Sequence, residues 1–262
     1  MSHAGSSLIK LGPIEVMHPA LWPPRAAPGF GDYSVRDLAA KFLMQVDDLA
    51  EYGRYRLANA EEQARAADGR RRVVLMGDSI TDFWTPDLLP QTPTVRFINR
   101  GIAGQNTSVM PLRFQSDVAA LSPDAVVLLG GTNDVRAYAG DPAGIAESGL
   151  EGVSRNIAGM ADMAIGRGSR VILATLPPIG PDFLTIARSP AVIDLMNQWT
   201  RGFASDRDYP LADYHAALAD GRGLMPAHLS DDGVHPNAAA YRLMAPGLEA
   251  VFNRLFFSDL VA

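Results

Sequence analysis

An α/β protein is predicted, a three-layer α/β/α sandwich around a five-stranded parallel sheet, and three observations predict it. Short apolar runs alternate with helical stretches along the chain, the pattern of repeated strand–helix units. The runs are continuous in Val, Ile and Leu rather than alternating with polar residues, which suits strands covered on both faces. The 262 residues are 47% hydrophobic and 20% charged, ordinary globular composition with enough chain for a substantial core.

Residues 1–33 are rich in Gly and Pro, with Pro13, Pro19, Pro23, Pro24 and Pro28, and read as an irregular arm on the body. Ser34 and Asp37 resemble a helix N-cap pair. Leu38, Phe42, Val46 and Leu49 then recur at helical spacing, so a helix is expected to run to about Ala66, with Asp68-Gly69 ending it. The apolar runs follow: Val73 to Met76, Val95 to Ile98, Ala125 to Leu129, Val171 to Thr175 and, more weakly, Pro210 to Asp213. Helices are expected near 108–121, 145–166, 190–206 and 237–256. This gives an arm and helix over 1–66 packed on an α/β domain over 67–262, together one structural unit. The arm is expected to bear on stability or assembly more than on chemistry.

A net charge of -6 lacks the basic face of a nucleic-acid binder. With no cysteine, disulfides, thiolate nucleophiles and cysteine-ligated metals are excluded. The first 30 residues carry no unbroken apolar run of a secretory signal, and no stretch approaches the ~20 apolar residues of a membrane span. The expected location is cytoplasmic, or secreted or periplasmic if the chain begins after a removed signal, without membrane insertion.

In a parallel sheet, ligands bind beyond the carboxyl ends of the strands, and unusual polar residues gather at those points here. The first run ends in Gly77-Asp78-Ser79-Ile80-Thr81. Glycine lets the chain turn sharply, leaving the serine at the rim as a nucleophile or, equally, as a helix cap. The second ends in Asn99-Arg100-Gly101-Ile102-Ala103-Gly104-Gln105-Asn106-Thr107. Its glycines either let a backbone N–H approach a ligand or simply carry a loop into a helix. The third ends in Gly130-Gly131-Thr132-Asn133-Asp134, where Asn133 can present its amide to a developing oxyanion or serve the turn. Before the last helix, Asp232 stands three residues ahead of His235, within reach of its Nδ1. Asp231 competes for that role, and His228 lies close enough in sequence to share the cleft. One serine, two oxyanion donors and an Asp-x-x-His together make the parts needed for acyl transfer.

These blocks, GDSIT at 77–81, NRGIAGQNT at 99–107, GGTND at 130–134 and the DGVHPN run at 232–237, resemble those of the SGNH hydrolases, or GDSL esterases and lipases. The resemblance covers about Arg72 to Phe252. It looks closest to the platelet-activating-factor acetylhydrolase-like and carbohydrate acetylesterase branches. It implies the flavodoxin-like SGNH fold and Ser79 as nucleophile, with His235 as base and Asp232 as its partner. The implied oxyanion hole comprises the Ser79 N–H, the Gly104 N–H and the Asn133 side chain. No metal or organic cofactor is implied. Ile80 replaces the leucine of the name motif. No G-x-S-x-G elbow occurs, which separates the chain from the α/β-hydrolases. The expected activity is hydrolysis of small or short-chain acyl esters, acetyl esters of carbohydrates included, through an acyl-enzyme. An idle glycan- or lipid-binding module and an acyltransferase are the competing expectations. A small-molecule ester is the expected partner, nucleic acid is not, and a homo-oligomer is left open. Phe83 and Trp84 are candidates to line the pocket or to pack in the core.

Overall fold

A computed structural model describes residues 48–135, 142–181 and 190–257. The arm over 1–33 and the start of the helix expected from Ser34 lie outside them. Within the described part of that helix the expectation fails: residues 48–55 are turns, and α1 spans only Arg56–Ala64. Glu51 adopts a left-handed φ of 48° and Gly53 follows, so the helical periodicity through Leu49 is broken before α1 begins.

Five strands form one sheet: β1 (Arg71–Gly77), β2 (Val95–Gly101), β3 (Ala125–Leu128), β4 (Arg170–Ala174) and β5 (Leu211–Ala212). All pair in parallel, in the order β2-β1-β3-β4-β5. Val73, Val74, Leu75 and Met76 are consecutive yet at most 2% exposed, so both faces of the central strand are covered, as the unbroken apolar run required. β5 is short because its neighbours have other work: Asp213 accepts the Ala216 N–H and caps α7 (Tyr214–Leu218).

The helices between strands are α2 (Ser79–Asp82), α3 (Met110–Asp117), α4 (Thr132–Val135), α5 (Pro142–Ile165) and α6 (Pro190–Asp206); α8 (Ala238–Phe257) closes the fold. Among the described residues, no helix is long and apolar enough to cross a membrane.

Two glycines decide how closely α2 packs against the strand ends. Gly77 and Gly101 are register partners on β1 and β2. A Cβ at Gly101 would overlap the Asp82 backbone N and lie 2.6 Å from both Asp82 Cα and Thr81 C, backbone atoms that cannot swing away. Gly101→Ala is therefore expected to cost about 3 kcal/mol, the upper range for overpacking. Gly202 in α6 meets nothing within 4 Å. There Gly202→Ala should stabilise by about 0.5–1 kcal/mol through helix propensity. Urea unfolding of both variants measures the contrast, and a neutral Gly101→Ala would contradict the close approach.

Candidate active site

The sheet order reverses direction between β1 and β3, and a crevice forms beyond the strand ends at such a point. Ser79 follows β1 and Asn133 follows β3. The registers Gly77 to Gly101 and Met76 to Leu128 bring the two polar loops and the β2 loop to one edge.

Ser79 is the first residue of α2 and does not cap it. Asp78 does, its carboxylate accepting the Ile80 N–H at 3.0 Å. The helix-cap alternative for the serine therefore falls away, and its hydroxyl is left for other partners. The turn is held from several sides. Tyr241 in α8 donates to Ile80 O at 2.7 Å, while Asn99 Nδ2 donates to Thr81 O at 2.6 Å and to Trp84 O at 3.0 Å.

Ser79 Oγ lies 2.9 Å from His235 Nε2, and His235 Nδ1 lies 2.5 Å from Asp232 Oδ2. Ser79 is 156 residues from His235 in sequence while Asp232 is only three from it, and the alignment follows from how the last loop is built. Asp232 Oδ1 accepts the Val234 and His235 backbone N–H groups at 2.9 and 2.8 Å, folding the loop around its own carboxylate. Gly233, at φ 76°, makes the turn. Its carbonyl accepts the Gly180 N–H at 2.7 Å, tying the loop to the segment beyond β4. Asn237 then accepts the Ala239 N–H at 2.9 Å and starts α8.

Burial disfavours the charged Asp232 carboxylate, but the His235 side-chain and backbone hydrogen bonds outweigh it and hold the carboxyl far below the usual range. An ionised Asp232 keeps the proton on Nδ1 and turns the lone pair of Nε2 toward Ser79. Asp232, not Asp231, occupies this position. His228 is exposed in a short 3₁₀ turn over Ala227–Leu229.

The β2 loop supplies Gly104, which is exposed between buried Ala103 and Gln105 and has φ 87°, a conformation that favours glycine. Ala103 N–H donates to Asp82 Oδ2 at 2.9 Å. Asn133 Nδ2 donates to Gln105 O at 2.9 Å, so the carboxamide bridges the β3 and β2 loops. Asp134 accepts the Thr107 N–H at 2.9 Å and its hydroxyl at 2.6 Å; burial raises its pKa against those bonds.

Phe83 and Trp84 divide. Trp84 is 2% exposed, stacks on Tyr241 and meets Tyr214 edge-on, a core residue. Phe83 tilts against the His235 ring with centroids 5.1 Å apart and belongs to the site. Sequence reasoning missed Arg54, Tyr55 and Arg113 entirely. Arg54 Nη2 binds the Asp82 carboxylate at 2.7 and 2.8 Å, and Tyr55 donates to Gly101 O. Among the described residues, no group of three or more His, Asp or Glu is placed to hold a metal ion.

This arrangement joins a hydroxyl to an imidazole oriented by a carboxylate, beside loops carrying backbone and amide N–H groups, which is what acyl transfer requires. Comparison with known proteins agrees. The model of the GDSL-like lipase/acylhydrolase family matches residues 75–243. No curated protein sequence gives a significant match. A GDSL-like lipase from Bacteroides thetaiotaomicron VPI-5482 is 30% identical, with a TM-score of 0.69 over 80% of this chain and 100% of that one. An acetyl xylan esterase shares the fold at 23% identity and a TM-score of 0.56, covering 68% of this chain and 98% of its own. A second acetylxylan esterase, from Geobacillus stearothermophilus, does so at 21% and 0.54, covering 69% and 93%.

Proposed function

The chain belongs to the GDSL-like lipase/acylhydrolase family and is an ester hydrolase, and from that premise we propose that it cleaves small or short-chain acyl esters, acetyl esters of carbohydrates among them, through an acyl-enzyme on Ser79. The relay from Ser79 through His235 to Asp232, at 2.9 and 2.5 Å, carries this reading. His235 Nε2 takes the hydroxyl proton as Oγ bonds to the ester carbonyl carbon, and the carbonyl electrons move to oxygen. The Ser79 and Gly104 N–H groups and the Asn133 amide are the donors assigned to that oxyanion. Collapse of the tetrahedral intermediate expels the alcohol, which receives the proton from His235. Water then repeats the sequence on the acyl-enzyme and releases the carboxylic acid.

The acyl size is supported by fold relatives that are acetylxylan esterases. The test is turnover of a p-nitrophenyl ester series from acetate to palmitate. The expected kcat/KM is highest at two to four acyl carbons and falls by about tenfold for each 1.4 kcal/mol of misfit as the chain lengthens. Values rising toward palmitate would overturn the short-acyl reading while leaving ester hydrolysis in place.

A further inference from the structure

We propose that Gln105 is the positioning residue of the oxyanion loop, held by the buried guanidinium of Arg113 and by the chain segment that precedes the α/β domain. The inference rests on the assignment of Gly104 and Asn133 to the oxyanion hole and extends it to residues that never touch substrate.

Gln105 is 4% exposed, and its polar groups point to four different parts of the molecule. Its N–H reaches Ile102 O at 3.3 Å within the loop, and its carbonyl accepts Asn133 Nδ2 at 2.9 Å. Its side-chain Oε1 accepts Arg113 Nε at 2.6 Å, and its Nε2 donates to Ala50 O at 3.2 Å. Arg113 is itself 0% exposed. Its Nη1 donates to Arg100 O at 2.8 Å and to Asp117 Oδ2 at 3.1 Å, and its Nη2 donates to Gly77 O at 3.1 Å. One side chain thus joins the last residue of β1, two before Ser79, to the end of β2 and to the residue after Gly104.

Enclosing a guanidinium is costly: burial lowers the Arg113 pKa although Asp117 beside it opposes the shift. A hydrophobic residue would fill the same space more cheaply, but it would leave the Gly77 and Arg100 carbonyls and the Gln105 amide without this donor. The geometric result is that both neighbours of Gly104 are fixed, Ala103 by Asp82 and Gln105 by Arg113. The peptide that carries the Gly104 N–H is then set before substrate arrives. The same Gln105 carbonyl orients the Asn133 amide, so two of the three assigned donors are governed by one residue. Preorganised donors stabilise an oxyanion because they pay no reorganisation during reaction, and a misplacement near 1 Å costs about 10²-fold.

The experiment compares Gln105→Met, Gln105→Glu, Asn133→Ala and the Gln105→Met/Asn133→Ala double variant on p-nitrophenyl acetate, with Ser79→Ala as reference. Gln105→Met keeps the volume and removes both side-chain bonds; kcat should fall about 10- to 100-fold with KM within about threefold. Gln105→Glu keeps an acceptor for Arg113 and should recover kcat to within about fivefold of wild type. Because both changes disturb the Asn133 donor while only Gln105→Met also disturbs Gly104, the double variant should fall below Asn133→Ala but by less than the product of the two single losses. Should Gln105→Met not fold, Gln105→Ser, whose cavity admits water to Arg113, carries the same expectation. A folded Gln105→Met or Gln105→Ser variant with wild-type kcat, or losses that multiply in full in the double variant, overturns the positioning role. Wild-type turnover in Asn133→Ala or Ser79→Ala would instead overturn the site reading beneath it.

Discussion

Ser79→Ala is expected to lower kcat on p-nitrophenyl acetate by about 10⁵- to 10⁶-fold, leaving the fold and KM nearly as they are. In the proposed mechanism the serine hydroxyl, 2.9 Å from His235 Nε2, forms the acyl bond, and its loss is not made good by a neighbour. In comparable relays, removing the nucleophile alone costs nearly as much as removing the whole set, because the members act as a unit. The residual rate then comes from binding and the oxyanion donors alone. Stability should change little, since the backbone of the turn is held by Asp78, Asn99 and Tyr241 rather than by the Ser79 side chain. Intact-mass measurement during turnover is the direct check: wild type should show a protein species heavier by one acyl group, and Ser79→Ala should not. A variant retaining more than about 1% of wild-type kcat would remove Ser79 from the role.

The groups assigned to the reaction were legible in the sequence because Ser79, Gly104 and Asn133 stand just beyond strands and Asp232 stands three residues before His235. Val73 to Met76 and Ala125 to Leu129 announce buried strands, so the residues after them fall at the carboxyl edge without further information. Gly77 and Gly104 could be read for the same reason, as backbone positions that a side chain would block or strain. Arg113 was not legible. It lies on the same buried face of α3 as Met110 and Phe114, where pattern rules put an apolar residue and send arginine to solvent. Only the three-dimensional meeting of Gly77 O, Arg100 O and Gln105 explains it. The leading segment misled for a related reason. Its apolar spacing through Leu49 is helical, yet the described residues 48–55 turn back so that Ala50 O, Arg54 and Tyr55 meet Gln105, Asp82 and Gly101. Local periodicity carries no record of such long-range hydrogen bonds.

Asp232→Asn should separate the chemistry of the relay from the architecture of its loop. Asparagine keeps an Oδ1 that accepts the Val234 and His235 N–H groups, so the turn through Gly233 should survive. At the other atom, a carboxylate oxygen 2.5 Å from His235 Nδ1 becomes an amide donor. A donor there favours the imidazole tautomer with its proton on Nε2, which then faces Ser79 Oγ with no lone pair to receive a proton. The expected loss is about 10⁴-fold in kcat at neutral pH. Asp232→Ala would lose both the relay and the loop, so its rate loss should come with a lower Tm. The pH dependence of stability gives an independent reading. Folding lowers the Asp232 carboxyl, so its stabilisation is fully present above the ordinary carboxylate pKa of about 4 and is lost as pH falls through the folded value. Wild type should therefore exceed Asp232→Asn in stability at neutral pH, and the gap should narrow in strong acid. A gap independent of pH, together with full activity in Asp232→Asn, would mean that the short contact to His235 serves neither stability nor proton transfer.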